Sequence, residues 1–445
     1  MKRPGNLRKS IWGIRIGSWP APQKRKRIKP NRKRRHSVKD QEEIVVGLDI
    51  GTTKICTVVA EVSGDKVNII GIGSHPSIGL RKGVVVNIDS TVDSIKKAVQ
   101  DAELMAGCEI SSVYAGIAGG HVTGFNSHGV IAIKGKEITQ SDVNRVIEAA
   151  RAVAIPMDRE VIHVLPQEFI IDGEAGIQNP VGMAGVRLEA RIHIVTGAVT
   201  SAQNIVKCAN QAGLDVCDII LEPIASCESV LTPEEREVGT GLIDLGGGTT
   251  DLAIFSGNTI RHTFVLSLGG NNMTNDISVG LRVPVAEAER IKKEHGTCVS
   301  DRIKSNETID LPDIGSRKGR KLPRQILSEI LEPRVEEIFA LIQREINRAD
   351  MGEEIASGIV LTGGASLLEG ISEVAESVFE VPVRQGTPHG ISGLVDVVNN
   401  PMYATGVGLV LYGAKDEERK KFRIRDTNIF NRIISRMKRW FSEVI

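Results

Sequence analysis

Apolar and polar positions change texture several times along this chain. Ile44-Val45-Val46-Gly47-Leu48-Asp49-Ile50 is a short apolar run rich in β-branched residues and bounded by Gly51-Thr52-Thr53, which predicts a buried strand ending in a turn. Cys56–Val62 and Val67–Gly73 predict two more strands around the turn Ser63-Gly64-Asp65, so a meander opens the ordered part. From Ser90 the period lengthens. Val92, Ile95, Val99 and Ala102 recur at helical spacing, with Ser90-x-x-Asp93 as a start signal and Gly107 as a stop. A strand at Ser112–Ile117 and an apolar run at Val130–Ile133 precede a second helix, which starts at Thr139, carries Val143, Val146, Ile147, Ala150 and Ala154, and is ended by Pro156. Strands Val161–Leu165 and Phe169–Ile171 close what reads as a small α+β module inserted after the meander.

The β/α texture then returns, with a strand at Arg191–Thr196, a helix at Ser201–Ala212 and the segment Asp218–Glu222. Gly241–Asp251 repeats the strand, turn and strand of the start. Asn272–Asp350 is helical and charged and reads as another insert. Gly358–Gly364 predicts a last strand and Gly-rich turn, followed by a helical run over Leu367–Ser377. After Tyr412 the composition is linker-like over Lys415–Lys421, and one more amphipathic stretch follows. The fold class this predicts is α/β.

Composition sharpens the picture in three places. The 56 Lys and Arg nearly balance 55 Asp and Glu, yet residues 1–40 hold 15 basic residues and only Asp40, a local +14 that leaves −13 on the other 405. An acidic body with a basic, disordered leader over 1–42 has no basic groove, and no nucleic-acid partner is expected. Aromatic residues are only 3%, and Trp12, Trp19 and Trp440 all lie in terminal segments, so the core is aliphatic, as in buried parallel sheets. The six cysteines are scattered without paired or His-bracketed spacing, which predicts a reduced, intracellular protein with neither disulfides nor a zinc site. No apolar run reaches spanning length, and Gly13, Arg15 and Gly17 break the apolar part of Leu7–Pro22 too early for a signal peptide.

The chemistry lies in three turns. Gly47-Leu48-Asp49-Ile50-Gly51-Thr52-Thr53 and Leu242-Ile243-Asp244-Leu245-Gly246-Gly247-Gly248-Thr249-Thr250-Asp251 share one design: apolar strand, Asp, then Gly and hydroxyl residues. Such turns offer backbone N–H groups to phosphate oxygens without Cβ obstruction, and an Asp at the strand tip can hold Mg²⁺ through water. Leu361-Thr362-Gly363-Gly364-Ala365-Ser366 adds a third turn, where adjacent glycines let a flat purine or ribose approach the backbone. Any one of these is common as a bare strand-ending turn; their order together predicts a nucleotide clamped between two similar subdomains. No GxxxxGK[ST] word occurs, which excludes a P-loop enzyme.

These three words, in this order, resemble the phosphate-1, phosphate-2 and adenosine motifs of the actin/heat-shock-70/sugar-kinase ATPase superfamily. With Leu268-Gly269-Gly270-Asn271-Asn272-Met273-Thr274-Asn275-Asp276-Ile277 they are similar to the FtsA family of bacterial cell-division proteins, over Glu43–Ile445. The resemblance implies an actin-like ATPase fold of two duplicated β/α halves. Subdomain 1A would occupy 43–86, 172–238 and 401–414, with subdomain 1C inserted at 87–171. Subdomain 2A would occupy 239–271 and 346–400, with 2B at 272–345; a linker at 415–427 and an amphipathic helix at 428–445 would follow. ATP and Mg²⁺ are the implied cofactors. Asp49, Gly51, Thr52, Thr53 and Lys54 would contact phosphate and magnesium from one side, and Asp244, Gly246, Gly247, Gly248 and Thr249 from the other. Gly363, Gly364 and Ser366 would flank the adenosine. Glu289 and Lys292 would reach base and ribose, with a solvated helix face as their alternative. Glu222–Ala225 and Ala404–Gly408 would connect the halves at a hinge. Asp49, Asp244 and Glu222 are candidates for holding metal and water, with no unambiguous base, which implies slow turnover at most.

The tail has its own pattern. Ile429, Phe430, Ile433, Ile434, Met437, Trp440, Phe441 and Val444 fall on one helical stripe, with Arg432, Arg436, Lys438 and Arg439 opposite or flanking it. A basic amphipathic helix with Trp and Phe near its end predicts a peripheral anchor in anionic lipid, and its polar face forbids spanning. A helix docked on the protein itself, or on a partner's groove, is the alternative. The resemblance further implies self-assembly on the cytoplasmic face of the inner membrane at the septum. It implies docking of the tail of the tubulin-like protein FtsZ on 2B, and recruitment of later division proteins through 1C. Arg317, Lys318, Arg320, Lys321 and Arg324 are either a contact for an acidic tail or a solvated loop. Two other readings stand beside this one: a pilus-assembly relative that binds a peptide, and a sugar-kinase-like phosphotransferase.

Overall fold

The first sheet grows from runs that are buried on both faces. The computed structural model describes residues 43–304, 306–311 and 319–415; the expected leader, the linker beyond Lys415, the amphipathic tail, Arg317 and Lys318 lie outside the described residues. β1 (Glu43–Ile50), β2 (Lys54–Ser63) and β3 (Lys66–Pro76) form the expected antiparallel meander. Val45–Ile50 and Ile55–Ala60 are buried at every position, which is why they read as continuous apolar runs instead of alternating ones. A short hairpin, β4 (Leu80–Arg81) and β5 (Val84–Val85), leads into α1 (Ile88–Ala106). α1 begins before the Ser90 signal: Asn87 is its N-cap and accepts the Ser90 N–H, while Gly107 closes it in the left-handed conformation. β6 (Ser112–Ile117) then runs parallel to β1.

The inserted module follows. β7 (Thr123–Ala132), α2 (Gln140–Arg151), β8 (Arg159–Ile171), β9 (Glu174–Ile177) and β10 (Arg187–Ala198) make an antiparallel sheet of order β7-β10-β8-β9, with α2 on one face. Thr139 and Asp142 cap α2 reciprocally, each side chain accepting the other's backbone N–H. The helix ends at Arg151, so Ala154 and Pro156 fall beyond it, and the two strands expected at 161–171 are one, kinked where Pro166 meets Ile192. The module's bounds also differ from the expected 87–171. α1 packs Ile95, Ala98 and Ala102 beneath the first sheet with Leu48 and Val59, and β6 pairs within that sheet, so both belong to the first half. β10, expected there, is instead a central strand of the module, which spans β7 to β10.

α3 (Val199–Gln211), β11 (Asp215–Leu221), α4 (Glu222–Val230) and α5 (Pro233–Val238) complete this stretch, and the first sheet has the order β11-β6-β1-β2-β3. The second half repeats the plan. β12 (Thr240–Leu245), β13 (Thr250–Ser256) and β14 (Thr259–Leu266) form its meander. The second insert follows as α6 (Gly270–Leu281), α7 (Val285–His295), β15 (Thr308–Leu311), β16 (Arg320–Pro323) and α8 (Gln325–Arg348). β17 (Ile359–Thr362), α9 (Ile371–Phe379) and β18 (Val383–Gln385) end it; the helix expected from Leu367 starts at Ile371, after a single turn over Gly364–Leu367. Its sheet order, β18-β17-β12-β13-β14, matches β11-β6-β1-β2-β3 strand for strand.

The chain returns to the first half earlier than the expected residue 401. β19 (Ser392–Gly393) already pairs with β3, and Val398 of α10 (Val395–Val398) packs with Val58 and Ile69. α11 (Ala404–Ala414) then lies against α4 and β1. The contact with α4 is backbone-close: a Cβ on Gly408 would stand 1.9 Å from the Ala225 carbonyl oxygen. The two segments expected as a hinge are thus the facing ends of two packed helices.

Candidate functional site

The Gly-rich turns meet. A Cβ on Gly247 would lie 1.8 Å from Thr53 Oγ1, and one on Gly248 would lie 2.6 Å from Thr52 Oγ1, so glycine alone lets the β12–β13 turn face the β1–β2 turn. Thr52 Oγ1 also accepts the Gly83 N–H at 2.9 Å, and Thr53 Oγ1 donates to Asn271 Oδ1 at 3.5 Å. With the turn after β17 they enclose a cavity of about 640 Å³. Asp49, Gly51, Thr52, Thr53, Lys54, Glu222, Asp244, Gly246, Gly247, Gly248, Thr249, Glu289, Lys292, Gly363 and Gly364 all line it.

Ser366 does not. Buried behind the turn, its Oγ donates to the Gly363 carbonyl at 2.7 Å and its own carbonyl accepts from Gln385 at 2.8 Å, so it shapes the loop that Gly363 presents. Glu289 and Lys292 sit on α7 at the cavity wall, not on a solvated face: Lys292 Nζ donates to the Gly270 carbonyl at 3.0 Å and Thr274 Oγ1 at 2.8 Å, and pairs with Glu289 at 2.8 Å. Burial opposes the Glu289 charge, but Lys292, Thr274 and Lys293 outweigh it and hold that carboxyl below the usual range. The wall also includes residues not assigned to the nucleotide from sequence, among them Gly270, Asn271, Leu368, Met402, Thr405 and Arg324. The word Leu268–Ile277 carried the signal for the first two. Arg324, grouped with the basic cluster, pairs with Glu307 at 2.9 Å and Glu369 at 2.5 Å, and its Nε donates to the His295 carbonyl. Lys321 is exposed, with Asp310 at 3.8 Å.

Acidic groups outnumber the cation at the floor. Asp244 Oδ2 accepts from Ser226 Oγ on α4 at 2.7 Å and Thr405 Oγ1 on α11 at 3.1 Å, so both helices hold the second-half aspartate. Lys54 Nζ lies 3.8 Å from Asp49 Oδ2, donates to the Met402 carbonyl at 2.6 Å and stands 4.6 Å from the Tyr403 ring centroid. Burial pushes the Asp49 carboxyl up to about 6, against the pull of Lys54 and with a further push from Asp244. Burial also raises Asp244, only partly countered by Ser226 and Thr405, and raises Glu222 strongly with help from Asp49, Asp251 and Asp244. Asp251, opposite Asp244 in the β12–β13 register, is pushed up to about 8 by burial and by Asp244, and its Oδ1 is buried without a hydrogen bond. This excess of carboxyl over cation fits a divalent ion. Among the described residues no group of three or more His, Cys, Asp or Glu could hold a metal ion, so an ion between Asp49 and Asp244 would keep most of its water.

Comparison with known proteins gives this architecture its relatives. Residues 241–408 match the family described as cell division protein FtsA, and residues 119–196 match the SHS2 domain inserted in FtsA, close to the bounds of β7 to β10. The chain is 50% identical over 376 residues to the cell division protein FtsA of Pseudomonas aeruginosa, covering 84% of this chain and 90% of that one. The Escherichia coli K12 protein of the same name is 43% identical over 379 residues, 83% and 90% of the two chains. That of Bacillus subtilis is 38% identical over 379 residues, 85% of each. Among solved structures, a PilM–PilN type IV pilus biogenesis complex aligns with a TM-score of 0.61 over 83% of this chain and 98% of that one, at 16% identity. MreB5 of Spiroplasma citri bound to ADP aligns with a TM-score of 0.53 over 84% and 98%, also at 16% identity. These last two share the fold alone, whereas the relatives by sequence are cell-division proteins.

Proposed function

The chain belongs to the FtsA family of cell-division proteins, has the actin-like ATPase fold and acts in cell division; from that premise we propose that it is an ATP-binding actin homologue that tethers the FtsZ ring to the cytoplasmic face of the inner membrane. One observation carries the nucleotide half of this reading: two Asp-and-glycine turns from equivalent strands face each other across one cavity, with no room for a side chain on Gly247 or Gly248. The backbone N–H groups of Gly51–Thr53 and Gly246–Thr249 would cradle the phosphates, and Lys54, already held between Asp49 and Met402, would place its charge beside them. Asp49 and Asp244 would hold magnesium through water, and the bound ion would offset the carboxylate excess and the phosphate charge. Gly363 and Gly364 leave a flat edge for the purine, beside Lys292 and Glu289 on α7.

Hydrolysis asks for more than binding. It requires an oriented water and stabilised phosphoryl charge. Glu222 is the floor carboxylate nearest this task, yet burial and three neighbouring acids favour its protonated form, and among the described residues no histidine lines the cavity. Slow turnover follows, with the nucleotide mainly selecting a closed state competent to assemble. Because Ser226 and Thr405 tie both hinge helices to Asp244, occupancy of the cleft bears directly on the hinge.

Membrane residence and partners complete the reading. The basic amphipathic stretch at Ile429–Phe441 would lie in an anionic lipid surface, and among the described residues no helix is long and apolar enough to cross a membrane. Lys321, exposed on β16, offers a charge to the FtsZ tail on the second insert, while the module β7 to β10 would meet later division proteins. A synthetic FtsZ C-terminal peptide tests this: it should bind the full chain, and Lys321→Glu should weaken it. Failure of the peptide to bind, with capture of a membrane-protein peptide in its place, would favour the pilus-assembly reading.

A further inference from the structure

Glu222 is presented to the cleft by a corner that the inserted module supports. It is the first residue of α4, immediately after Leu221 ends β11. Its side chain lies over β6, where a Cβ on Gly116 would stand 3.2 Å from its Cγ, so it has little room to shift on that side. β11 is the edge of the six-stranded sheet, and no strand of that sheet lies on its far side. There the buried Leu221 N–H donates to Nε2 of His163, 3.0 Å away on β8. An acceptor at Nε2 requires that nitrogen to carry no proton. Ile162 and Leu165, on either side of His163, pack against the apolar cluster to which Ile220, Leu221 and Ile224 belong, so β8 and the corner share one core beside this bond.

The same strand reaches the other half. Four residues on, Gln167 Nε2 donates to the Ile260 and Arg261 carbonyls on β14, at 2.8 and 3.1 Å. On the neighbouring strand β10, His193 Nε2 lies 2.8 Å from Thr263 Oγ1. β14 pairs with β13, the outgoing arm of the second Gly-rich turn. β8 therefore touches the Leu221–Glu222 corner on one side and, on the other, the end of β14 that pairs with β13 away from the second Gly-rich turn.

We propose that His163 is a positioning residue for Glu222, and that through it the inserted module is coupled to the metal–nucleotide state of the cleft. A partner that shifts the module moves the Leu221–Glu222 corner, and by linkage the cleft's occupant alters the partner's affinity to the same degree. This rests on the nucleotide reading given above.

Titration calorimetry of the full chain with ATP, once with Mg²⁺ and once with EDTA, tests it. In the unaltered protein Mg²⁺ should tighten ATP. His163→Leu strands the Leu221 N–H and should reduce that gain about fivefold, within the range of modest site coupling. His163→Gln keeps an acceptor within reach and should retain it. Glu222→Ala, which removes the positioned side chain itself, should reduce the gain on its own, and adding His163→Leu should cost nothing more. Equal losses in the Leu and Gln variants, or additive losses in the double variant, overturn the proposal. Where His163→Leu does not fold, His163→Asn, polar but shorter, takes its place with the same expected loss. No ATP binding by the unaltered chain, or unchanged binding in Asp244→Ala, would overturn the nucleotide reading itself and this inference with it.

Discussion

At the scale of single residues the cleft is a balance of buried charge. Asp244 is fixed by hydroxyls from both hinge helices, so Asp244→Ala removes a carboxylate and leaves Ser226 and Thr405 to pair only with each other. MgATP affinity should fall more than tenfold, a change of about 1.4 kcal/mol or more, as read by titration. Gly247→Ala acts through shape: the added carbon meets Thr53 at both Oγ1 and Cβ, so the two turns must part, and nucleotide affinity should drop while the denaturation midpoint hardly moves. The acids also set a pH dependence. Asp49 titrates near 6 and Asp251 near 8 in the folded chain, both above the unfolded carboxylate range. On these two groups the folded state therefore holds more protons than the unfolded one, and the stability they contribute falls as pH rises toward about 8. Relative to the unaltered nucleotide-free protein, Asp251→Asn should show a denaturation midpoint that declines less as pH rises toward about 8.

At the scale of elements, local signals and long-range pairing divide what the sequence makes legible. Thr139 illustrates the first: a cap is a contact between near neighbours, and the start of α2 is read correctly from it. Thr139→Ala should destabilise the module by about 1 kcal/mol, measurable as a lower denaturant midpoint with nucleotide affinity largely kept. The three Gly-rich turns are legible for the same reason, since each word is contiguous and its strands pair with their immediate neighbours. Sheet membership is different. The apolar runs at Ser112–Ile117 and Arg191–Thr196 look alike in sequence, yet one joins β1 in the first sheet and the other lies between β7 and β8 in the module. Which sheet a strand enters is decided by partners far along the chain, and this is why the module's bounds moved to β7 through β10. Ser366 failed in the opposite direction: its place in a Gly-rich word is plain, but whether a hydroxyl faces the cavity or braces the turn depends on the loop's path. His163 and Gln167 had no local signal at all, because their partners Leu221 and Ile260 lie 58 and 93 residues away.

At the scale of the whole molecule, the proposed function would make attachment to a membrane and assembly into a polymer one equilibrium. On that reading the cations of the tail sequence, Arg436, Lys438 and Arg439 among them, would contribute about 1 kcal/mol each near an anionic leaflet, and contact of Ile433, Ile434, Trp440 and Phe441 with lipid would add to that. One such segment would bind reversibly. A second helix on the same polymer binds at an effective concentration set by its tether, so avidity climbs by orders of magnitude without any new contact. Vesicle co-sedimentation should therefore rise steeply, not hyperbolically, with protein concentration once assembly begins, and MgATP should shift the rise to lower concentration. Deleting Ile429–Ile445 should abolish it while leaving ATP binding unchanged, and raising salt should weaken it more on anionic than on neutral vesicles. A simple hyperbola that ignores nucleotide would separate the anchor from the cleft, whereas a steep, nucleotide-dependent curve would tie lipid residence to the state of the cleft, where Ser226 on α4 and Thr405 on α11 both bond Asp244.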